Sequence, residues 1–261
     1  MFTKKFVSGL VAATALSSVL LIPQAFAQGT GDNPEITEDK PTQEQIEAIP
    51  EKEELLERYI ESKYEKFERS DIKNMSESEY PNIAANKAGE KYRGTIGVDA
   101  FEQETNYYCG PATVKQVLHF INGKSKSQDQ YAKELGTTKA GTDFSLIDEL
   151  LNKHQDRTKY VYKTHSSDEK HKFLDKIEYG IESDYPVLMD LHIKPSYMPI
   201  YNKPVEGHIL NASGYDWRDW ELRLTDPFDQ NGKGRTLGNT WHPADGVWKA
   251  NQAHFRQAVI W

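Results

Sequence analysis

The stretch QETNYYCGPATVKQVLHFI, residues 103–121, decides the fold of this chain, and it holds Cys109, the one cysteine among 261 residues. Pro111 follows two residues later, and Val114, Val117, Leu118 and Ile121 then recur three and four apart. That spacing predicts an amphipathic helix. Proline is favoured in the first helical turn, where its missing N–H would have had no partner. The helix is therefore expected to start at Cys109. A sulfur at that place meets the unpaired N–H groups and the positive end of the helix dipole, which favour a thiolate over a thiol. A cysteine needed only for packing would sit mid-helix, on the face of Val114 and Leu118.

The compartment makes the lone thiol informative. Lys4 and Lys5 precede an apolar run over residues 11–22, and Ala25-Phe26-Ala27 follows as a small-x-small cleavage pattern. The apolar run is too short to span a bilayer, and the pattern predicts a secretory signal over residues 1–27, with a mature chain beginning at Gln28. Exported proteins avoid idle thiols, because the exterior oxidises them. A single cysteine there is a buried inert group, an intermolecular disulfide partner or a nucleophile. Its place at a helix start selects the nucleophile.

Charge and composition exclude other classes. The net charge is −8, and residues 28–73 alone carry 14 acidic against 7 basic side chains. Mean hydropathy is −0.74. No basic patch suits nucleic acid or an anionic membrane, so neither is expected as a partner, the signal once removed. Residues 28–94 form an acidic N-terminal extension with a polar leader. Leu55, Leu56, Tyr59, Ile60, Tyr64 and Phe67 predict an amphipathic helix over about 51–69. That helix either decorates the main domain or is a pro-segment that docks over the active site and inhibits it.

The main domain is expected over residues 95–261. Helices are predicted from Cys109, after the Ser127/Gln130 capping box, over 144–151 and after a Ser166/Glu169 box. After Tyr185 the period becomes strand-like in YPVLMDLHI, HILNASGY, ELRLTD and QAVIW. Helices first and strands second is an α+β pattern.

A thiolate nucleophile needs a base, an orienter for that base and donors for the oxyanion. Of eight histidines, His208 stands at the start of a strand that returns through a turn to Asp226. If Gly214 pairs with Trp220, counting back sets His208 opposite Asp226. Gln103, six residues before Cys109, offers a side-chain amide that would act with the Cys109 N–H on an oxyanion. The loop DPFDQNGKG, residues 226–234, has Asp229 and Asn231 before Gly232, but Pro227 stands where a calcium loop needs its first ligand. No metal or other cofactor is therefore expected.

The runs QETNYYCGPATVKQVLHF, SQDQYAKELGTTKAGTD, GHILNASGYD and LTDPF together resemble the papain-like cysteine peptidases of the bacteriocin-processing, double-glycine leader-peptidase type, in their stand-alone secreted branch. The resemblance covers roughly residues 98–261. It implies a papain-like α+β fold, with the nucleophile at the N-terminus of a central helix packed on an antiparallel sheet. It also implies roles by motif: Cys109 as nucleophile, His208 as base, Asp226 as orienter and Gln103 as oxyanion donor. These are the four residues reached from spacing and chemistry. The expectation is a cysteine peptidase acting on peptide or protein substrates through a thioester, secreted from a Gram-positive bacterium. Two rivals stand beside it: an amidase or acyltransferase of the transpeptidase or transglutaminase kind, and a non-catalytic binding protein on the same scaffold.

Overall fold

The computed structural model describes residues 42–63 and 92–261. The signal segment, most of the leader and the linker expected around 70–94 lie outside the described residues or nearly so. In chain order the elements are α1 (Gln43–Lys63), β1 (Arg93–Thr95), α2 (Cys109–Asn122), α3 (Gln128–Glu134), a 3-10 turn (Phe144–Leu146), α4 (Ile147–His154) and β2 (Tyr162–Thr164). There follow α5 (Lys170–Glu182), β3 (Val187–Ile193), β4 (Val205–Asp216), β5 (Glu221–Asp226), β6 (Gly238–Pro243), α6 (Ala244–Ala253) and β7 (Ala258–Ile260).

The seven strands form one sheet in the order β2-β7-β3-β4-β5-β6, with β1 paired to β4. Every pairing is antiparallel. Side chains alternate faces along a strand, and both faces are covered here. Val187, Met189, Leu191, Leu210 and Ala212 join Phe173 and Ile177 of α5 and Val247 of α6 in one core. Leu188, Ile209, Ala258 and Ile260 join Val114, Val117 and Leu118 of α2 and Leu151 of α4 in the other. Burial on two faces is why β3 reads VLMDLHI, apolar at five of seven positions rather than at alternate ones. The α+β arrangement is as expected, with the Cys109 helix against the antiparallel sheet.

Local chemistry sets the helix boundaries. Helix α2 begins at Cys109 and ends where Gly123 adopts the left-handed conformation, φ 70°, which glycine reaches without steric cost. The predicted Ser127/Gln130 capping box starts α3. The expected helix over 144–151 is instead the 3-10 turn, capped by Asp143, followed by α4. At α5 the expected box is only half formed. Glu169 Oε2 accepts from the Ser166 N–H at 3.1 Å, while Ser166 Oγ turns to Asp168 and the helix begins one residue after Glu169.

Helix α1 starts eight residues before the expected position and runs through Pro50. The cause is a second capping box. Thr42 N–H donates to Gln45 Oε1 at 2.7 Å, and Gln45 N–H donates to Thr42 Oγ1 at 3.2 Å. Gln45 then fastens α1 to the domain by donating to Asp148 Oδ1 at 2.7 Å and to Ser145 O at 3.1 Å. Leu56 enters the α5 core, Lys52 Nζ donates to Lys159 O at 2.8 Å, and Tyr59 donates to Glu178 at 3.0 Å. None of these contacts involves Cys109, His208 or Asp226. Residues 43–63 brace the domain along α5 and at the start of α4, and these contacts lend no support to the expected inhibition. Residues 64–69 of the expected helix lie outside the described residues.

Candidate active site

Cys109 is the first residue of α2, and the helix is fastened to the sheet one turn further on. Thr113 Oγ1 donates to Ile209 O at 3.0 Å. Gln116 Oε1 accepts from Asn211 Nδ2 at 2.8 Å, and Gln116 Nε2 donates to Phe101 O at 3.2 Å. These bonds fix the start of α2 over β4, and the Cys109 side chain interacts with the His208 imidazole there. Gly110 permits a further approach: a Cβ there would lie 2.6 Å from Thr142 Oγ1, so only glycine lets the 137–142 loop press against the helix start.

His208 and Asp226 meet by a route other than the expected one. The hairpin pairs Asp216 with Glu221 and Gly214 with Arg223, not Gly214 with Trp220. After Ser213 the pairing shifts to Ala212 with Leu224 and Asn211 with Thr225. Continued by one residue, this sets Asp226 opposite Leu210 and diagonal to His208. Residues two apart on a strand share a face, and diagonal neighbours remain within reach of long side chains. His208 Nε2 lies 2.7 Å from Asp226 Oδ1.

Both groups are wholly buried. Burial disfavours the imidazolium, yet the Asp226 charge, its hydrogen bond and the Cys109 side chain together outweigh this and carry His208 up to about 10. Burial likewise pushes the Asp226 carboxyl up, but His208, Tyr201 and the Phe228 N–H hold it below its ordinary range. With Nε2 engaged by Asp226, Nδ1 is the ring atom left for the sulfur, and it has no nitrogen or oxygen partner among the described residues. The Phe228 ring stands edge-on to the imidazole at 5.7 Å. Cys109 and His208 expose no surface, so a substrate that reaches the sulfur displaces what covers it.

Gln103 is half of the expected oxyanion pair. Its N–H donates to Pro227 O at 2.9 Å, which ties it to the residue after Asp226. Its side-chain Nε2 donates to Thr105 O at 2.8 Å, and the second Nε2 hydrogen is left over. Tyr201 is the site residue that sequence reasoning missed. Its hydroxyl donates a hydrogen bond to Asp226 Oδ2, from a segment between β3 and β4 with no periodic signal.

Asp229 spends its carboxylate on backbone N–H groups, from Asn231 at 3.0 Å, Gly234 at 2.6 Å and Arg235 at 3.2 Å. Among the described residues no cluster of three His, Cys, Asp or Glu is placed to hold an ion. No helix among them is long and apolar enough to cross a membrane.

Against known proteins, residues 95–253 match the model of the Peptidase_C39 like family. Among solved structures, the peptidase domain of Streptococcus ComA, a bi-functional ABC transporter involved in a quorum sensing pathway, is 17% identical with a TM-score of 0.41. That alignment covers 63% of this chain and 97% of that one. Xylellain, a cysteine protease from Xylella fastidiosa, is 11% identical with a TM-score of 0.44, covering 65% of this chain and 85% of that one. No curated protein matches. The family match spans more than half of the sequence, from β1 to the last residue of α6, and by it the chain belongs to the Peptidase_C39 like family and is a cysteine peptidase.

Proposed function

We propose that the protein is a secreted peptidase that cleaves peptide bonds through a Cys109–His208–Asp226 triad and a thioester intermediate. The observation that carries the reading is the buried 2.7 Å contact between His208 and Asp226, on an imidazole that also interacts with the Cys109 side chain at the start of α2.

The chemistry follows from those groups. The Cys109 sulfur, its proton held on His208, attacks the carbonyl carbon. The carbonyl oxygen becomes an oxyanion, met by the Cys109 N–H and the remaining Gln103 amide hydrogen. As the C–N bond breaks, His208 gives its proton to the departing amine, leaving an acyl group on sulfur. Water then attacks the thioester while His208 takes up its proton, and collapse releases the acid and the thiolate. Asp226 keeps the imidazole Nδ1 toward the sulfur and stabilises the imidazolium. Burial of the pair strengthens each of these interactions, since the local dielectric is low.

The test is digestion of a peptide library by the purified mature protein, read by mass spectrometry beside Cys109→Ala. Cleavage by the wild type and none by the variant is expected. Cleavage retained by Cys109→Ala overturns the assignment.

A further inference from the structure

We propose that Tyr201 is a positioning residue of this site: its buried hydroxyl holds the second carboxylate oxygen of Asp226, so that the first stays aimed at His208. The proposal rests on the triad reading above. The last torsion of an aspartate is broad and roughly two-fold, so a carboxylate held at one oxygen can swing off the imidazole. In this site both oxygens are held. Oδ1 accepts from His208 Nε2 at 2.7 Å and from the Phe228 N–H at 2.8 Å, and Oδ2 accepts from Tyr201.

The donor is itself fixed by the core. Tyr201 is 1% exposed, packs in the cluster that holds Met198 and Phe228, and donates its N–H to Met198 O at 3.1 Å. Its segment is tied to the loop after Asp226. Asn202 N–H donates to Gln230 Oε1 at 3.0 Å, and Gln230 Nε2 donates to Ile200 O at 3.1 Å. From the other side, α6 presses on the Tyr197 carbonyl, an approach possible only because residue 246 has no Cβ. Burial first, and Asp226 second, push the Tyr201 phenol well above its usual range, so it remains a donor throughout the working range of pH. The titratable groups facing Asp226 are His208 from β4, Tyr201 from the connecting segment and His242 from β6. Burial brings His242 down to about 4. It is therefore neutral near pH 7 and places no second cation beside Asp226.

Tyr201→Phe removes one oxygen and keeps the ring. A hydrogen bond to a charged group is strong enough that its loss should lower kcat about tenfold and leave KM unchanged. Asp226, free to turn off the imidazole, then supports the imidazolium less, so the acid limb of Cys109 alkylation by iodoacetamide should move up by about one pH unit. In an Asp226→Asn background the same substitution should add nothing further. A purely structural role would lower the denaturation midpoint and leave the limb in place. An unmoved limb in folded Tyr201→Phe protein, or an undiminished effect in the Asp226→Asn background, overturns the proposal. Should the variant not fold, a fluorinated tyrosine at 201, whose phenol is more acidic and a stronger donor, carries the same test. The limb should then move down, and a stationary limb is again fatal. Cys109→Ala separates the two readings. If it still cleaves, the triad fails; if it is inactive while the limb stays put, only the role of Tyr201 fails.

Discussion

Glu53 in α1 and Lys176 in α5 form an ion pair 3.1 Å long, in which the lysine side chain is wholly buried. The ammonium also lies 4.9 Å from the Trp261 ring, and Lys52 approaches the same ring at 5.3 Å. The extension thus supplies the counter-charge for a lysine the domain buries, and this gives α1 a structural place in the catalytic unit.

Glu53→Ala should therefore destabilise the protein by about 2 kcal/mol, less than a fully buried pair because the glutamate is partly exposed. Lys176→Met in the Glu53→Ala background should restore most of that loss, since no charge is then left unpaired. Urea midpoints measure both, and turnover of folded protein should not change. Higher turnover from Glu53→Ala at unaltered stability would favour the inhibitory pro-segment instead.

His208→Ala should abolish turnover and require a more alkaline pH for alkylation of Cys109, because the cationic partner of the thiolate is gone. Gln103→Ala should leave alkylation intact and slow turnover by about 10²–10³-fold, the usual loss for one oxyanion donor. Alkylation and steady-state rates on the same preparations separate the two roles. Equal loss of both activities in Gln103→Ala would remove it from the oxyanion site.

His165 should make the fold acid-labile. Burial first, and then Lys176, bring its imidazole down to about 3. Neither ring nitrogen has a hydrogen-bond partner among the described residues. Between its unfolded value of about 6.5 and that lowered value, the unfolded chain binds more protons than the native one. Stability therefore falls as pH falls through this window, by at most about 1.4 kcal/mol per pH unit from this group. The opposite trend from Asp148, which burial raises to about 6, is common to wild type and variant. His165→Leu should thus lose less stability than wild type between pH 6.5 and 4.5, as read from urea midpoints. Parallel losses would exclude His165 as the cause.

Export should remove residues 1–27, so the extracellular protein should begin at Gln28. Intact mass decides this, and retention of the first 27 residues would contradict it.

Much of the candidate site's geometry was legible because each signal is local. Cys109, Gly110 and Pro111 mark a helix start, and the strands around His208 and Asp226 are read from their period and the turn between them. The short strands β1 and β2 span three residues each, too few for a period to show. Strand β6 reads GNTWHP, half-buried and closed by Pro243, and α6 carries Gly246 in its first turn; both patterns argue against regular structure. The start of α1 was legible in Thr42 and Gln45 but masked by Pro50. Tyr201 carried no signal at all, since only the tertiary fold brings residues 25 positions apart into one hydrogen bond.

The bulge at Ser213 limits how this chain can change in length. Without it, the pairing of Asp216 with Glu221 would continue unbroken, and Asp226 would fall opposite Asn211, on the face away from His208. One extra residue restores the common face. Its place is held by the Ile96 N–H on Ser213 O at 2.9 Å and by Thr225 Oγ1 on Ser213 Oγ at 2.8 Å. Deletions and insertions within β4 between His208 and the turn are therefore governed by parity and by reach. Two residues lost from β4 would set Asp226 directly opposite His208, and two gained would keep the common face but carry the pair out of reach, whereas a single-residue change in β4 inverts the face while leaving every side chain of the candidate site in the sequence.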